Sequence, residues 1–238
     1  MNKTSKILAA TEQFRNDPLK LLQACGGYYQ CPKNATGNRL GHLVAYRDQY
    51  EAGKHYIGDV YANFSQAEQY PFVVNHYAAC IISQLCGTSF DVDTFCGAPE
   101  GGKSLAYSLA TSAQRRYIYP EKKGVNLIWK RHSVEPGERI AIVEDVCNNF
   151  STTEKIVDMI VSAGGVPVFI TCFLNRSPKI HDKWTSDDFN LPVISLVRKP
   201  SPEFKQHDPR VNDDVKRKNV IWEVKENWST LMEDMEKR

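Results

Sequence analysis

The sequence predicts an α/β fold in which helices flank a parallel sheet, preceded by a small N-terminal hood. From about residue 72 to residue 174, apolar runs alternate with helical patterns, which is typical of parallel strands joined by helices. Two of these repeats have the form of a strand, a polar or glycine-rich turn and a helix. The 238 residues are 42% hydrophobic and 24% charged, so the chain can bury a core without disulfides or metals.

The composition argues against several classes of protein. A net charge of +2 gives no reason to expect binding to nucleic acid or to a membrane surface. No apolar run approaches the roughly 20 residues of a membrane span, and the first 18 residues lack the apolar centre of a signal peptide. The seven cysteines include no CxxC pair, so we expect small buried side chains in a reducing compartment. We therefore expect a cytoplasmic protein.

Three segments are predicted along the chain. Residues 1–70 contain a helix over residues 5–24, interrupted by a proline, and then the hood. Residues 71–200 form the core. Residues 201–238 combine a charged connector with an amphipathic helix over residues 222–236, which we expect to cover the core.

The clearer strand–turn–helix unit places acidic residues directly after an apolar strand. Its strand covers residues 139–143 and stops at Glu144 and Asp145. A polar loop follows, and Ser151-x-x-Glu154 predicts a capping box at the start of the helix. Adjacent carboxylates suit a ligand with several hydroxyls or a cation such as magnesium, whereas the loop and helix start predict an anion site. The alternative interpretation of the two acids is a polar turn after a strand.

A second strand of this unit ends in an arginine. It covers residues 166–174 and is followed by Asn175 and Arg176. In open α/β sheets, ligands bind beyond the carboxyl ends of the strands. We therefore expect Arg176 and the two acids to face the same cleft.

The other unit contains a glycine-rich turn. A strand over residues 92–96 leads into the turn at 97–102, and a helix follows over 103–114. The glycines let the backbone approach an anion and adopt positive φ. The segment also matches the Walker A pattern, Gly97-x-x-x-x-Gly102-Lys103-Ser104. A P-loop-type nucleoside triphosphate hydrolase or kinase is therefore an alternative, in which Lys103 contacts phosphates and Ser104 holds magnesium.

Several motifs, in the same order, resemble those of the orotate phosphoribosyltransferase family, whose fold is the type I phosphoribosyltransferase fold. The strand, Glu144-Asp145-Val146, the polar loop and the helix are similar to the family's binding motif for phosphoribosyl pyrophosphate (PRPP). Residues 95–106 look like its pyrophosphate loop, and residues 117–124 are similar to the strand that enters its mobile cationic loop. Leu174-Asn175-Arg176 resembles its Asp/Asn-Arg ending, and residues 53–59 resemble the segment that closes over the base.

The resemblance implies an enzyme that transfers the phosphoribosyl group of PRPP to a pyrimidine base, with orotate as the expected base. It also implies Mg²⁺ as the cofactor and a homodimer. The catalytic residues that it implies are Lys122, Lys123 and Asp145. The PRPP-binding residues that it implies are Gly97, Ala98, Pro99, Glu100, Gly101, Gly102, Glu144, Asp145, Asn148, Asn149, Ser151 and Thr152. The base contacts that it implies are Arg176 and Lys54, although a solvated surface lysine is an equally good interpretation of Lys54.

Two departures from the family's pattern bear on turnover. Phe150 stands where the family's phosphate loop has a glycine, and the chain passes from Lys123 straight to Gly124, which shortens the cationic loop. A third interpretation is therefore a non-catalytic sensor that binds PRPP or a nucleotide.

Overall fold

The computed structural model describes residues 2–88, 91–124 and 126–237. The helices within these ranges are α1 (Lys3–Gln13), α2 (Pro18–Ala24), α3 (Ser65–Glu68), α4 (Pro71–Leu85), α5 (Gly102–Ala113), α6 (Ser151–Ser162), α7 (Asn212–Lys216) and α8 (Trp228–Asp234). The strands are β1 (Tyr28–Gln30), β2 (Leu43–Glu51), β3 (Lys54–Gly58), β4 (Val60–Ala62), β5 (Thr94–Gly97), β6 (Arg116–Ile118), β7 (Glu121–Lys123), β8 (Asn126–Ile128), β9 (Arg139–Cys147), β10 (Val166–Asn175), β11 (Lys183–Thr185), β12 (Asn190–Arg198) and β13 (Val220–Ile221).

The chain forms two compact units, and each is discontinuous in sequence. The first unit comprises Met1–Leu21 and Ala67–Pro200, and the second comprises Leu22–Gln66 and Ser201–Arg238. This grouping differs from the three consecutive segments drawn from the sequence. The reason is long-range pairing, because β13 lies parallel to β2 and thereby joins the C-terminal segment to the hood.

The first unit is built on a mixed sheet with the order β11-β12-β10-β9-β5-β6. All neighbouring pairs are parallel except β11, which runs antiparallel to β12. The central strands β5, β9 and β10 are mostly apolar and largely buried. Helices α5 and α6 pack against them, and Leu105, Leu109, Ile156 and Ile160 of these helices are buried. The predicted class, a parallel sheet flanked by helices, is confirmed.

The second unit contains strands that the sequence patterns did not predict. Strands β2 and β3 form an antiparallel hairpin, and β1 pairs with β4. The predicted C-terminal helix begins later than expected, at Trp228, whose indole Nε1 donates to the carbonyl of Gly26 at 2.9 Å. The carboxylate of Asp234 is buried and accepts hydrogen bonds from the backbone N–H of His42 at 2.8 Å and from Lys237 at 2.5 Å.

The predicted interruption of the first helix is confirmed, because α1 ends at Gln13 and Pro18 begins α2. Proline is well suited to the first turn of a helix, where its missing N–H has no intrahelical partner to lose. Across the described part of the chain, every helix is too short or too polar to cross a membrane.

Candidate functional site

The glycine-rich turn between β5 and α5 is held tightly against β9. The backbone N–H of Ala98 donates to the carbonyl of Val143 at 2.8 Å, and that of Gly102 donates to the carbonyl of Ala98 at 3.0 Å. A β-carbon at Gly102 would lie 2.2 Å from the carbonyl oxygen of Val143. Glycine is therefore required there for the start of α5 to approach the strand so closely.

The two acids lie within β9 rather than after it, so the prediction that the strand stops at residue 143 is wrong. The ladder with β10 continues as far as the pair Cys147–Asn175, and this pairing keeps the chain extended. Consecutive strand residues face opposite sides of a sheet. Glu144 is accordingly buried, with 9% of its surface exposed, and Asp145 is half-buried.

Asp145 faces the glycine-rich turn. A β-carbon at Gly101 would meet Oδ2 of Asp145 at 2.0 Å, which places the carboxylate directly over the backbone of the turn. The structure therefore brings together the two segments that the resemblance assigns to PRPP binding.

Glu144 has an unusual electrostatic environment. Burial in the first place, and then the negative charge of Asp145, raise the pKa of Glu144 well above its ordinary range. The ammonium group of Lys122 opposes this shift and lowers the pKa. The catalytic role of Lys122 stays a prediction.

The predicted capping box at the start of α6 is wrong. Phe150 occupies the N-cap position, so Ser151 and Thr152 belong to the first turn of the helix. The backbone N–H of Ser151 donates instead to the side-chain oxygen of Asn149 at 3.0 Å. The connection between β9 and α6 is short as a result, since it contains Asn148, Asn149 and Phe150 alone.

Phe150 adopts the backbone conformation that a glycine would favour. Its φ of 63° and ψ of 15° lie in the left-handed region. Its side chain is buried in the core cluster that includes Ile156 and Val157 of α6. The departure from the family's glycine thus keeps the backbone shape of the loop and adds an apolar anchor beneath it.

The two candidate loop cations lie on a tight hairpin. Lys122 and Lys123 are exposed on β7, which pairs antiparallel with β8 in a register that sets Lys123 opposite Asn126. Residues 124 and 125 connect the strands, and residue 125 lies outside the described residues. The cationic segment is therefore short, in keeping with the departure noted in the sequence.

The two candidate base contacts lie in different units. Arg176 follows β10, is only 6% exposed, and donates its backbone N–H to the carbonyl of Cys147 at 3.0 Å, so it lies at the same sheet edge as the acids. Lys54 belongs to the second unit, where its Nζ lies 2.6 Å from the carboxylate of Glu51. Both side chains of that pair are exposed, which fits a solvated surface lysine. The roles of Arg176 and Lys54 stay predictions.

The contacts of Lys103 and Ser104 do not favour the Walker A interpretation. The hydroxyl of Ser104 donates to the carboxylate of Glu68 at 2.6 Å, although that interpretation requires it for magnesium. The Nζ of Lys103 lies 2.7 Å from Glu100 and 4.6 Å from the ring centroid of Tyr119. Sequence reasoning missed Glu68 and Tyr119, because only the fold brings them to the start of α5.

The chain is similar in sequence to orotate phosphoribosyltransferases. It is 27% identical to the one from Thermotoga maritima over 171 residues, which cover 71% of this chain and 82% of that protein. The one from Caldanaerobacter subterraneus subsp. tengcongensis is 26% identical over 149 residues, which cover 62% of this chain and 73% of that protein. With the relative from Thermotoga petrophila, 28% identity extends over 121 residues, covering 50% of this chain and 61% of that protein. No protein-family model matches the chain.

Solved structures share the fold at lower identity. The orotate phosphoribosyltransferase from Aeropyrum pernix aligns with a TM-score of 0.52 and 14% identity, covering 75% of this chain and 92% of that chain. UMP synthase from Leishmania donovani also aligns with a TM-score of 0.52 and 14% identity, covering 92% of this chain and 42% of that chain. Adenine phosphoribosyltransferase from Leishmania tarentolae aligns with a TM-score of 0.50 and 12% identity, covering 76% of this chain and 87% of that chain.

The relatives and the fold agree with the resemblance drawn from the motifs, and the structure brings two of those motifs, the glycine-rich turn and the acid pair, together. The resemblance drawn from the sequence is confirmed: the chain is similar in sequence to the orotate phosphoribosyltransferases and has the type I phosphoribosyltransferase fold.

Proposed function

We propose that this enzyme transfers the phosphoribosyl group of PRPP to orotate and releases pyrophosphate. Phosphoribosyl transfer itself is supported by the relatives, which carry the name orotate phosphoribosyltransferase. The observation that carries the proposal to this chain is the contact between Asp145 and Gly101, which unites a carboxylate and a glycine-rich turn at one sheet edge. Hydroxyl recognition and pyrophosphate recognition need these two features side by side.

In the proposed reaction, a nitrogen of the base forms a bond to the anomeric carbon of the ribose. The bond between that carbon and the pyrophosphate oxygen breaks, and its electron pair leaves with pyrophosphate. The proton of the base nitrogen passes to a pyrophosphate oxygen or to water. The turn at residues 97–102 would bind the pyrophosphate, although the N–H groups of Ala98 and Gly102 already donate to backbone carbonyls. Residues 148–152 at the start of α6 would bind the 5′-phosphate. Asp145 and Glu144 would accept hydrogen bonds from the ribose hydroxyls, while Lys122 and Lys123 would neutralise charge on the leaving group.

Mg²⁺ is part of the proposal. Among the described residues, no group of three or more His, Cys, Asp or Glu is placed to hold a metal ion. Mg²⁺ is commonly bound by one or two carboxylates together with substrate phosphates, so a site completed by PRPP is consistent with this chain. Asp145 is the carboxylate that suits an Mg²⁺ ligand, since it is half-buried over the turn. The raised pKa of Glu144 disfavours the charged form of Glu144. When bound, the ion would neutralise pyrophosphate oxygens.

Orotate is proposed because of Arg176 and the names of the relatives. The planar guanidinium fork suits the carboxylate and carbonyl groups of an acidic pyrimidine, which purine bases lack. The fold does not determine which base is used, since an adenine phosphoribosyltransferase aligns nearly as well as the orotate enzyme. A homodimer in the cytoplasm remains part of the proposal, and sedimentation of the purified chain tests the dimer.

The decisive experiment is an assay of pyrophosphate release with orotate, uracil, hypoxanthine and adenine, run on the wild type and on Arg176→Ala. Orotate should be preferred, and the substitution should remove that preference while PRPP binding, measured by calorimetry with Mg²⁺, persists. Better turnover of a purine would overturn the assignment of the base. Tight magnesium-dependent binding of ATP without binding of PRPP would overturn the whole proposal.

A second candidate is a PRPP sensor without turnover. The short β7–β8 hairpin favours it, because a closing cationic loop is what keeps water from the activated sugar. Tight PRPP binding without pyrophosphate release on any base would select this candidate.

A further inference from the structure

The side chain of the lysine at the start of α5 folds back over the glycine-rich turn. Lys103 is the second residue of the helix, and only 25% of its side chain is exposed. Lysine side chains normally extend into water. Here the ammonium group lies between the carboxylate of Glu100, at 2.7 Å, and the ring of Tyr119, at 4.6 Å from the centroid. The two contacts fix a positive charge beside the turn.

This position is electrostatically costly without a negative partner. The amino end of a helix carries partial positive charge, so a cation in the first turn is repelled. The first turn of α5, all of which is described, contains no acidic side chain. The carboxylate of Glu100, from within the turn itself, lies where it can offset this charge, although its side chain remains 66% exposed.

We propose that Glu100 is an internal substitute for the pyrophosphate of the ligand, and that Lys103 is a pyrophosphate-binding residue. On binding, the pyrophosphate takes the place of the Glu100 carboxylate on Lys103, and the exposed Glu100 side chain turns into solvent. Tyr119 is a positioning residue, because its ring keeps the ammonium group over the turn while the anions exchange. The inference rests on the proposed function, since it concerns the same turn.

The proposal predicts effects of opposite sign from the two members of one ion pair. Glu100→Gln removes the competing anion, so it should strengthen the binding of inorganic pyrophosphate and of PRPP by about tenfold. Lys103→Gln should weaken both by about tenfold. In the double variant, the gain from Glu100→Gln should vanish, because the lysine that it liberates is missing.

The matched control is the pair Asp17 and Lys20, which has the same spacing in the chain and an N–O distance of 3.2 Å. Asp17→Asn and Lys20→Gln should change neither affinity. Tyr119→Phe keeps the ring and should bind as the wild type does, whereas Tyr119→Leu should weaken pyrophosphate binding. Thermal unfolding of every variant checks that these changes are not consequences of a damaged fold.

Calorimetric titrations with pyrophosphate and with PRPP, each with and without Mg²⁺, separate the outcomes. If the wild type binds both ligands and Glu100→Gln binds them equally or more weakly, the substitution mechanism is overturned and the proposed function stands. If the wild type binds pyrophosphate but not PRPP, and Glu100→Gln still binds pyrophosphate more tightly than the wild type does, the inference about the anion stands. The proposed function then fails. Binding of neither ligand by any variant overturns both.

Discussion

The carboxylate of Asp145 lies against the backbone of Gly101, so close that a β-carbon there would meet its Oδ2 at 2.0 Å. Asp145 belongs to β9, and Gly101 belongs to the turn that follows the neighbouring strand β5. The absence of a side chain at Gly101 is therefore what leaves room for the acid over the turn.

Gly101→Ala should weaken PRPP binding by about tenfold while leaving the fold intact. The φ of −70° and ψ of −28° at Gly101 suit alanine, so the added methyl group displaces the side-chain carboxylate of Asp145 rather than the backbone. Calorimetry with PRPP and Mg²⁺ measures the loss, and thermal unfolding checks the fold. Equal affinity in the variant would show that the position of Asp145 is irrelevant to binding.

Gly102→Ala, one residue further along, should instead destabilise the protein by about 1–3 kcal/mol. The methyl group would lie 2.2 Å from the carbonyl oxygen of Val143, and backbone atoms cannot move aside as a side chain can. Urea denaturation of this variant and of Gly101→Ala provides the comparison. Equal midpoints for the two would contradict the close approach of α5 to β9.

Asp145→Asn should weaken PRPP binding by about 1–3 kcal/mol, the scale of a charged hydrogen bond lost at a site. The fold should survive, because the residue is half-buried at the sheet edge. Calorimetric titration gives the change in affinity. An unchanged dissociation constant would return the acid pair to the interpretation of a structural polar segment.

Glu144→Gln should alter how the stability of the ligand-free protein depends on pH. Burial raises the pKa of Glu144 well above the value of 4.5 that it has in an unfolded chain. The native state therefore retains a proton that the unfolded state loses, so this stabilisation is full below pH 4.5 and is lost as the pH rises through the folded pKa. The variant should lack this fall and be more stable than the wild type at neutral pH.

Urea denaturation across a series of pH values measures that effect, with Glu154→Gln as the control because Glu154 is an exposed acid on α6. Parallel curves for the wild type and Glu144→Gln would show that the acid is charged in the folded protein.

Phe150→Gly should cost about 2–4 kcal/mol of stability. Deleting a buried phenylalanine typically costs about 3–5 kcal/mol, and relief of the left-handed backbone returns about 1 kcal/mol of that. Chemical denaturation measures the net change. A variant as stable as the wild type would mean that the side chain does not anchor the loop.

The sequence patterns predicted the central strand–turn–helix units well because their signals are local. Continuous apolar runs such as residues 139–143 and the glycines of residues 97–102 act within a few residues of one another. The end of β9 was harder to predict, because two acids normally end a buried strand. Here the ladder with β10 continues past them to Cys147, which only the neighbouring strand determines.

The start of α6 and the second unit depended on information that lies outside the local pattern. Ser151-x-x-Glu154 has the letters of a capping box, but the left-handed Phe150 takes the cap position because its side chain is buried among core residues. The hairpin of β2 and β3 was missed, and its partner strand β13 lies far along the chain, where a local pattern gives no sign of the pairing. The contact of Lys103 with Tyr119 likewise appears only after the strands are aligned.

The pairing of β13 with β2 has a consequence for the nascent chain on the ribosome. All residues of the first unit have been synthesised once Pro200 is added, whereas the second unit needs contacts such as that between His42 and Asp234, which are 192 positions apart. Domains generally fold as units during synthesis. Vectorial translation would therefore leave β2 as an open strand edge until the last segment emerges, and an open edge invites pairing with other chains. Ribosome stalling before residue 220 should for this reason yield aggregation-prone products.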